Sequence, residues 1–149
     1  MTHCPDCGAP LDLGRQCRDY FYELLALEAR VPGVPDLLSH FYAVATYNLQ
    51  HPAAFIPGAI YGLRTALTDA LGGNADIREL RRRAGAAAQG ITRVLRRPAE
   101  DGESSQATLT KEWPTEWPMT VRDVCIAEPQ DYERRVREWA TSVAAVLPD

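Results

Sequence analysis

The chain has 149 residues, 46% of them apolar and 24% charged, with a formal net charge of −4. That length can bury roughly 68–70% of the unfolded surface, so a metal is not needed merely to create a core. Mild acidity argues against a whole-molecule attraction to nucleic acid or anionic membrane, and no apolar run approaches the roughly 20 residues of a membrane span. The first residues, Met1-Thr2-His3-Cys4, lack the basic and apolar stretches of a signal peptide. A cytoplasmic protein with reduced thiols is expected, as a single domain over 1–149.

Residues 1–16 are rich in glycine and proline and show no lasting periodicity, so they read as a compact loop around Cys4-Pro5-Asp6-Cys7-Gly8. From Cys17 the pattern turns helical: Tyr20, Phe21, Leu24, Leu25 and Leu27 recur at helical spacing through Arg30. Prolines and Gly33 then break the run. Asp36 can cap a second helix carrying Leu37, Leu38, Phe41, Val44, Ala45 and Leu49, which should stop near Gln50 because Pro52 disfavours helical geometry at His51. The short break predicts that these two helices are antiparallel neighbours.

Pro57 suits the first turn of a third helix, with Ile60, Leu63, Leu67 and Leu71 as its apolar stripe and Gly72-Gly73 as its end. Asn74 can cap a fourth, with Ile77, Leu80, Ala84, Ala87, Ile91 and Leu95 facing inward, although Gly85 and Gly90 weaken its middle. Residues 98–112 are polar and predict a surface loop. Trp113-Pro114 and Trp117-Pro118 forbid regular helix and predict an extended segment laying two indoles on the core. A short helix around 121–125 follows, started by Thr120 and Asp123. A last helix over 129–147 carries Tyr132, Val136, Trp139, Ala140, Val143 and Leu147 on one face. No alternating strand pattern of useful length occurs. The expected class is all-α, a bundle of about five helices with an N-terminal zinc-knuckle loop.

Cys4 and Cys7, two residues apart on a glycine-ended turn, can aim both sulfurs at one tetrahedral metal. The other candidate ligands are Cys17, Cys125, His3, His40 and His51. On one helix, His40 and His51 would be about 16 Å apart along the axis, too far to share an ion. In an antiparallel hairpin turning near Gly33, Cys17 lies 16 residues before the turn and His51 18 after it, so both fall at one end, with the Cys4–Cys7 loop. His40 falls toward the other end. The expected site is therefore Cys4, Cys7, Cys17 and His51 around Zn²⁺, a closed Cys₃His set of structural type. His40 is expected to pack or lie at the surface, and Cys125 to be an inert core thiol beside Val124 and Ile126. A thioredoxin-type reading of the CxxC is disfavoured, because no strand precedes it and Gly8 and Pro10 block a helix after it.

The run Cys4-Pro5-Asp6-Cys7-Gly8-Ala9, then Cys17 with Tyr20-Phe21 and Leu24-Leu25, then His40 and Tyr47-Asn48-Leu49-Gln50-His51-Pro52, resembles a family of small, mostly bacterial proteins classified only as a domain of unknown function. Trp117-Pro118-Met119-Thr120-Val121-Arg122-Asp123-Val124 and Trp139-Ala140 continue the likeness. The resemblance implies one helical domain with an N-terminal zinc knuckle and supplies no activity.

Three function classes follow. The favoured one is a zinc-binding module with a structural metal and a binding or regulatory role, for which the tryptophan-proline segment offers a protein partner surface. A nucleic-acid binder would use the basic helix Arg78, Arg81, Arg82, Arg83, Arg93, Arg96 and Arg97, seven arginines in twenty residues, against the neighbouring acids Asp76, Glu79, Glu100 and Asp101. A metal-dependent hydrolase would need an open zinc site and a base such as Glu28, near His40 or Tyr47, but no nucleophile motif, phosphate loop or paired carboxylates accompany it.

Overall fold

The computed structural model describes residues 2–33, 36–90, 93–96 and 113–148. Two short strands, β1 (Thr2–His3) and β2 (Pro10–Leu11), pair antiparallel with Thr2 opposite Leu11 and His3 opposite Pro10. The remaining regular structure is helical: α1 (Cys17–Glu28), α2 (Leu37–Gln50), α3 (Pro57–Leu71), α4 (Ile77–Ala88), α5 (Val121–Val124) and α6 (Tyr132–Val146), with 3₁₀ turns at Pro52–Ala54 and Pro129–Asp131. The helical bundle expected from periodicity is present, with six helices rather than five among the described residues.

Local chemistry sets most boundaries. Before α1, the Gln16 amide N–H donates to Asp19 Oδ2 at 2.7 Å as half of a reciprocal capping box. Asp36 caps α2 by accepting from the Leu38 amide at 3.0 Å, and Pro57 occupies the first turn of α3. Thr120 and Asp123 form a second capping box at α5. Gly73, at φ +81°, supplies the left-handed residue just beyond α3.

The core forms where α2 packs on α6 and α3, while α1 lies chiefly on α5. Trp139, Tyr20, Leu24, Leu49, Ile60 and Leu67 are all essentially inaccessible to solvent. One buried polar group pins this centre: Gln50 donates through Nε2 to the Met119 carbonyl at 2.7 Å and accepts from Trp139 Nε1 at 3.2 Å. An amide so deep is tolerable only when its donors and acceptors find such partners. The two indoles of the tryptophan-proline segment are half-buried against the core, and Trp113 Nε1 donates to the Leu49 carbonyl at 3.1 Å.

Several expectations need correction. Residues 1–16 are not irregular throughout, since β1 and β2 make a small hairpin. The cap of α4 is Asp76, not Asn74: its carboxylate accepts from the Arg78 amide at 2.9 Å. The helix then ends at Ala88, and Gly90 adopts φ +73°, a conformation glycine takes without penalty and a helix cannot continue through. Leu95 is therefore not an inward residue of a long helix. It is 57% exposed and bridges to Phe55. The basic helix 78–97 is likewise shorter than expected, leaving Arg93 and Arg96 in the extended stretch after it. Ile91, Arg97, Glu100, Asp101 and the surface loop at 98–112 lie outside the described residues.

Candidate metal centre

Backbone hydrogen bonds shape the N-terminal turn before side chains enter. The Cys4 amide donates to the Ala9 carbonyl and the Gly8 amide to the Cys4 carbonyl, both at 2.8 Å. Closing so tight a loop requires a left-handed residue, which Gly8 provides at φ +78°. The amides of Cys7 and Asp6 then point at the Cys4 sulfur, and that of Ala9 at the Cys7 sulfur. These dipoles favour thiolate, the form that binds metal.

Cys17 enters from the first turn of α1, and His51 from the end of α2. The two helices run antiparallel, and three side-chain pairs give the register. Cys17 meets His51 in the cluster, Phe21 stacks on Tyr47 with centroids 4.1 Å apart, and Glu28 Oε1 lies 2.7 Å from His40 Nδ1. The members of each pair are equally distant in sequence from position 34, as an antiparallel hairpin requires.

The ligand-type atoms of Cys4, Cys7, Cys17 and His51 all lie within 4.8 Å of one another. Cys4 Sγ is 3.5 Å from His51 Nε2, and Cys7 Sγ is 3.6 Å from Cys17 Sγ. A tetrahedral ion with Zn–S near 2.3 Å and Zn–N near 2.0 Å would set these edges at about 3.5 and 3.8 Å. The three cysteines are buried, at 6%, 2% and 6% exposure. This group can hold a metal ion.

His51 is held in one orientation. Its Nδ1–H donates to the Tyr47 carbonyl at 2.7 Å, which leaves the Nε2 lone pair facing the sulfurs. Its ring stacks on Tyr47, centroids 4.1 Å apart, and Tyr47 stacks on Phe21, so a column of three rings walls one side of the cluster. On another side Trp117 Nε1 donates to the Asp6 carbonyl at 3.4 Å, tying the turn to the C-terminal half of the chain. Tyr20 carries a further brace. Its hydroxyl accepts from the Asp12 amide at 2.9 Å, and the guanidinium groups of Arg15 and Arg122 lie 4.1 and 4.2 Å from its ring centre.

Three thiolates this close cannot coexist without a cation beside them. The hydrogen bond from the Cys17 thiol holds Cys7 well below the ordinary thiol range, in spite of burial, and the same bond pushes Cys17 far up. Burial raises Cys4. For His51 burial disfavours the imidazolium, but the Cys7 sulfur and the Tyr47 carbonyl outweigh it and raise the group. One thiolate with a shared proton is how such a cluster accommodates itself when only protons are available.

The remaining candidates lie elsewhere. His3 is on exposed β1. His40 is bound to Glu28, whose other oxygen accepts from the Tyr132 hydroxyl, so this histidine joins α1, α2 and α6 far from the thiols. Cys125 is half-buried at the end of α5 and directs its thiol at the Arg122 carbonyl, 3.8 Å away. Along α4, Glu79 holds both Arg82 and Arg83, at 2.6 and 3.1 Å.

A profile of the family of unknown function DUF5946 matches residues 2–147. The chain belongs to that family. The match spans the cysteine turn, His51 and α6 alike, so family membership extends over nearly the whole helical bundle. No curated protein and no solved structure matches the chain. Among the described residues no helix is long and apolar enough to cross a membrane.

Proposed function

We propose that this member of DUF5946 is a zinc-binding helical domain spanning the chain, in which Cys4, Cys7, Cys17 and His51 hold one structural Zn²⁺. The observation that carries the reading is the convergence of three thiols and one imidazole nitrogen within 4.8 Å, drawn from the N-terminal turn, α1 and the end of α2. Sulfur-rich sets of this kind suit zinc, and four protein donors leave no position for a reacting water. That composition disfavours the hydrolytic alternative, which needs an open position. Bound zinc would fasten the N-terminal turn to the α1–α2 hairpin, and the domain so fixed would serve as a binding or regulatory module. In the cytosol, the expected location, thiols stay reduced and remain available to the metal.

The test is elemental analysis of protein purified without a histidine tag, combined with thiol titration before and after chelation. One equivalent of zinc protecting three thiols, released together by the chelator, is the expected result. Absence of metal, with Cys4 and Cys7 oxidised as a pair, would overturn the proposal in favour of redox chemistry.

A further inference from the structure

A second candidate site lies beside α2, away from the four sulfur and nitrogen donors. Helix α4 stands against α2 and α3 without burying any of its residues completely. Between the three helices is a cleft of about 490 Å³. Its size falls in the usual range for small-molecule sites, roughly 300–1,000 Å³. Phe41, Val44, Leu63, Leu80, Ala87 and Val94 make its walls apolar, and Asn48 contributes one amide.

Two features indicate what fits there. The first is steric. Gly62 lies inside α3 and lines the cleft, and a Cβ built on it would meet nothing within 4 Å. The missing side chain leaves that part of the cleft open, and a large residue at position 62 would project into it. The second is electrostatic. Arg82 and Arg83 are the charged residues among the described lining. Both guanidinium groups share one carboxylate, that of Glu79, and Arg78 and Arg81 add to the same helix, whose N-cap is Asp76. Among the described residues, 76–83 carry four arginines against two acids, so this edge of the cleft is basic on a protein whose net charge is −4. Apolar walls ending at a basic edge complement a ligand with an aliphatic body and an anionic head.

We propose that the cleft between α2, α3 and α4 binds a single-chain aliphatic carboxylate, its chain against the apolar walls beside Gly62 and its head group at Arg82 and Arg83. The ligand would supply the apolar contact that α4 lacks. The site shares no residue with the sulfur cluster and does not depend on metal there.

Decanoate and its methyl ester, titrated calorimetrically into the full chain, test this. Saturable one-to-one binding of decanoate is expected, with the ester weaker by roughly tenfold or more, the scale of a hydrogen-bonded charge. Arg82→Glu combined with Arg83→Glu should remove that preference. Gly62→Phe should abolish binding by filling the cleft, with helical content and zinc content unchanged. Absence of saturable binding, equal binding of acid and ester, or full binding by a folded Gly62→Phe protein would each overturn the proposal. If Gly62→Phe fails to fold, the comparison of acid with ester on the parent and on the double arginine variant still decides it. None of these results bears on the metal.

Discussion

His40 and His51 are borne by the same helix region, both face α1, and they have come to opposite chemical ends. At one end of the hairpin α1 presents Cys17 and the N-terminal turn adds Cys4 and Cys7, so His51 meets sulfur. At the other end α1 presents Glu28, so His40 meets a carboxylate that is itself held by Tyr132. The helix does not distinguish the two imidazoles; their partners across the hairpin do. Burial follows the same division, because the sulfur end is closed by stacked rings and Trp117 whereas the His40 side chain remains 46% exposed.

Substitutions at the two ends should therefore behave differently. The largest effect is expected from Cys7→Ser, which removes the donor nearest Cys17 and should abolish zinc binding and expose the N-terminal turn to proteases. Apparent metal-binding free energies in small zinc peptides are on the order of 10–16 kcal/mol, so even a partial loss should be visible as a large fall in melting temperature. Next comes His51→Ala, expected to lose or greatly weaken zinc, measured by competition with a chromophoric chelator. An unchanged zinc affinity in His51→Ala would break the comparison.

Lowering pH from about 8 to about 6 should also weaken zinc binding, because the ion must displace protons from the thiols. The sign follows from Cys4 and Cys17. Both are raised above the ordinary thiol range, Cys4 by burial and Cys17 by its bond to Cys7, so both carry protons in the metal-free cluster. Proton release measured in weakly buffered solution should accompany zinc addition.

At the opposite end the effects should be smaller and leave the metal alone. Tyr132→Phe removes the hydroxyl donated to Glu28 and should cost about 1–3 kcal/mol, read from denaturant unfolding. His40→Ala breaks a partly exposed hydrogen bond to Glu28 and should cost at most about 1 kcal/mol, with full zinc content retained. Loss of zinc in His40→Ala would assign the ligand to the wrong histidine.

Much of the hairpin was legible in the sequence because its signals are local. The CxxC turn, the capping Asp36, the breaks around Gly33 and the proline after His51 set both helix ends, and equal distance from the turn paired Cys17 with His51. The short α4 was harder to read. Its apolar residues continue at helical spacing past Ala88, and only the backbone of Gly90 shows that the helix has ended. Contacts between distant segments left no local trace at all. Nothing around Gln50 announces that its amide will join Trp139 to the Met119 carbonyl, or that α1 will rest mainly on α5. The orientation of His51 by Tyr47 could have been inferred, since a carbonyl four residues earlier in a helix lies within reach of a side chain at its end.

The most direct test of the four-residue centre is zinc K-edge X-ray absorption on tag-free protein. The expected first shell is three sulfurs at about 2.3 Å and one nitrogen at about 2.0 Å. A shell with two sulfurs and added oxygen, or no bound zinc at all, would contradict a closed centre built from Cys4, Cys7, Cys17 and His51.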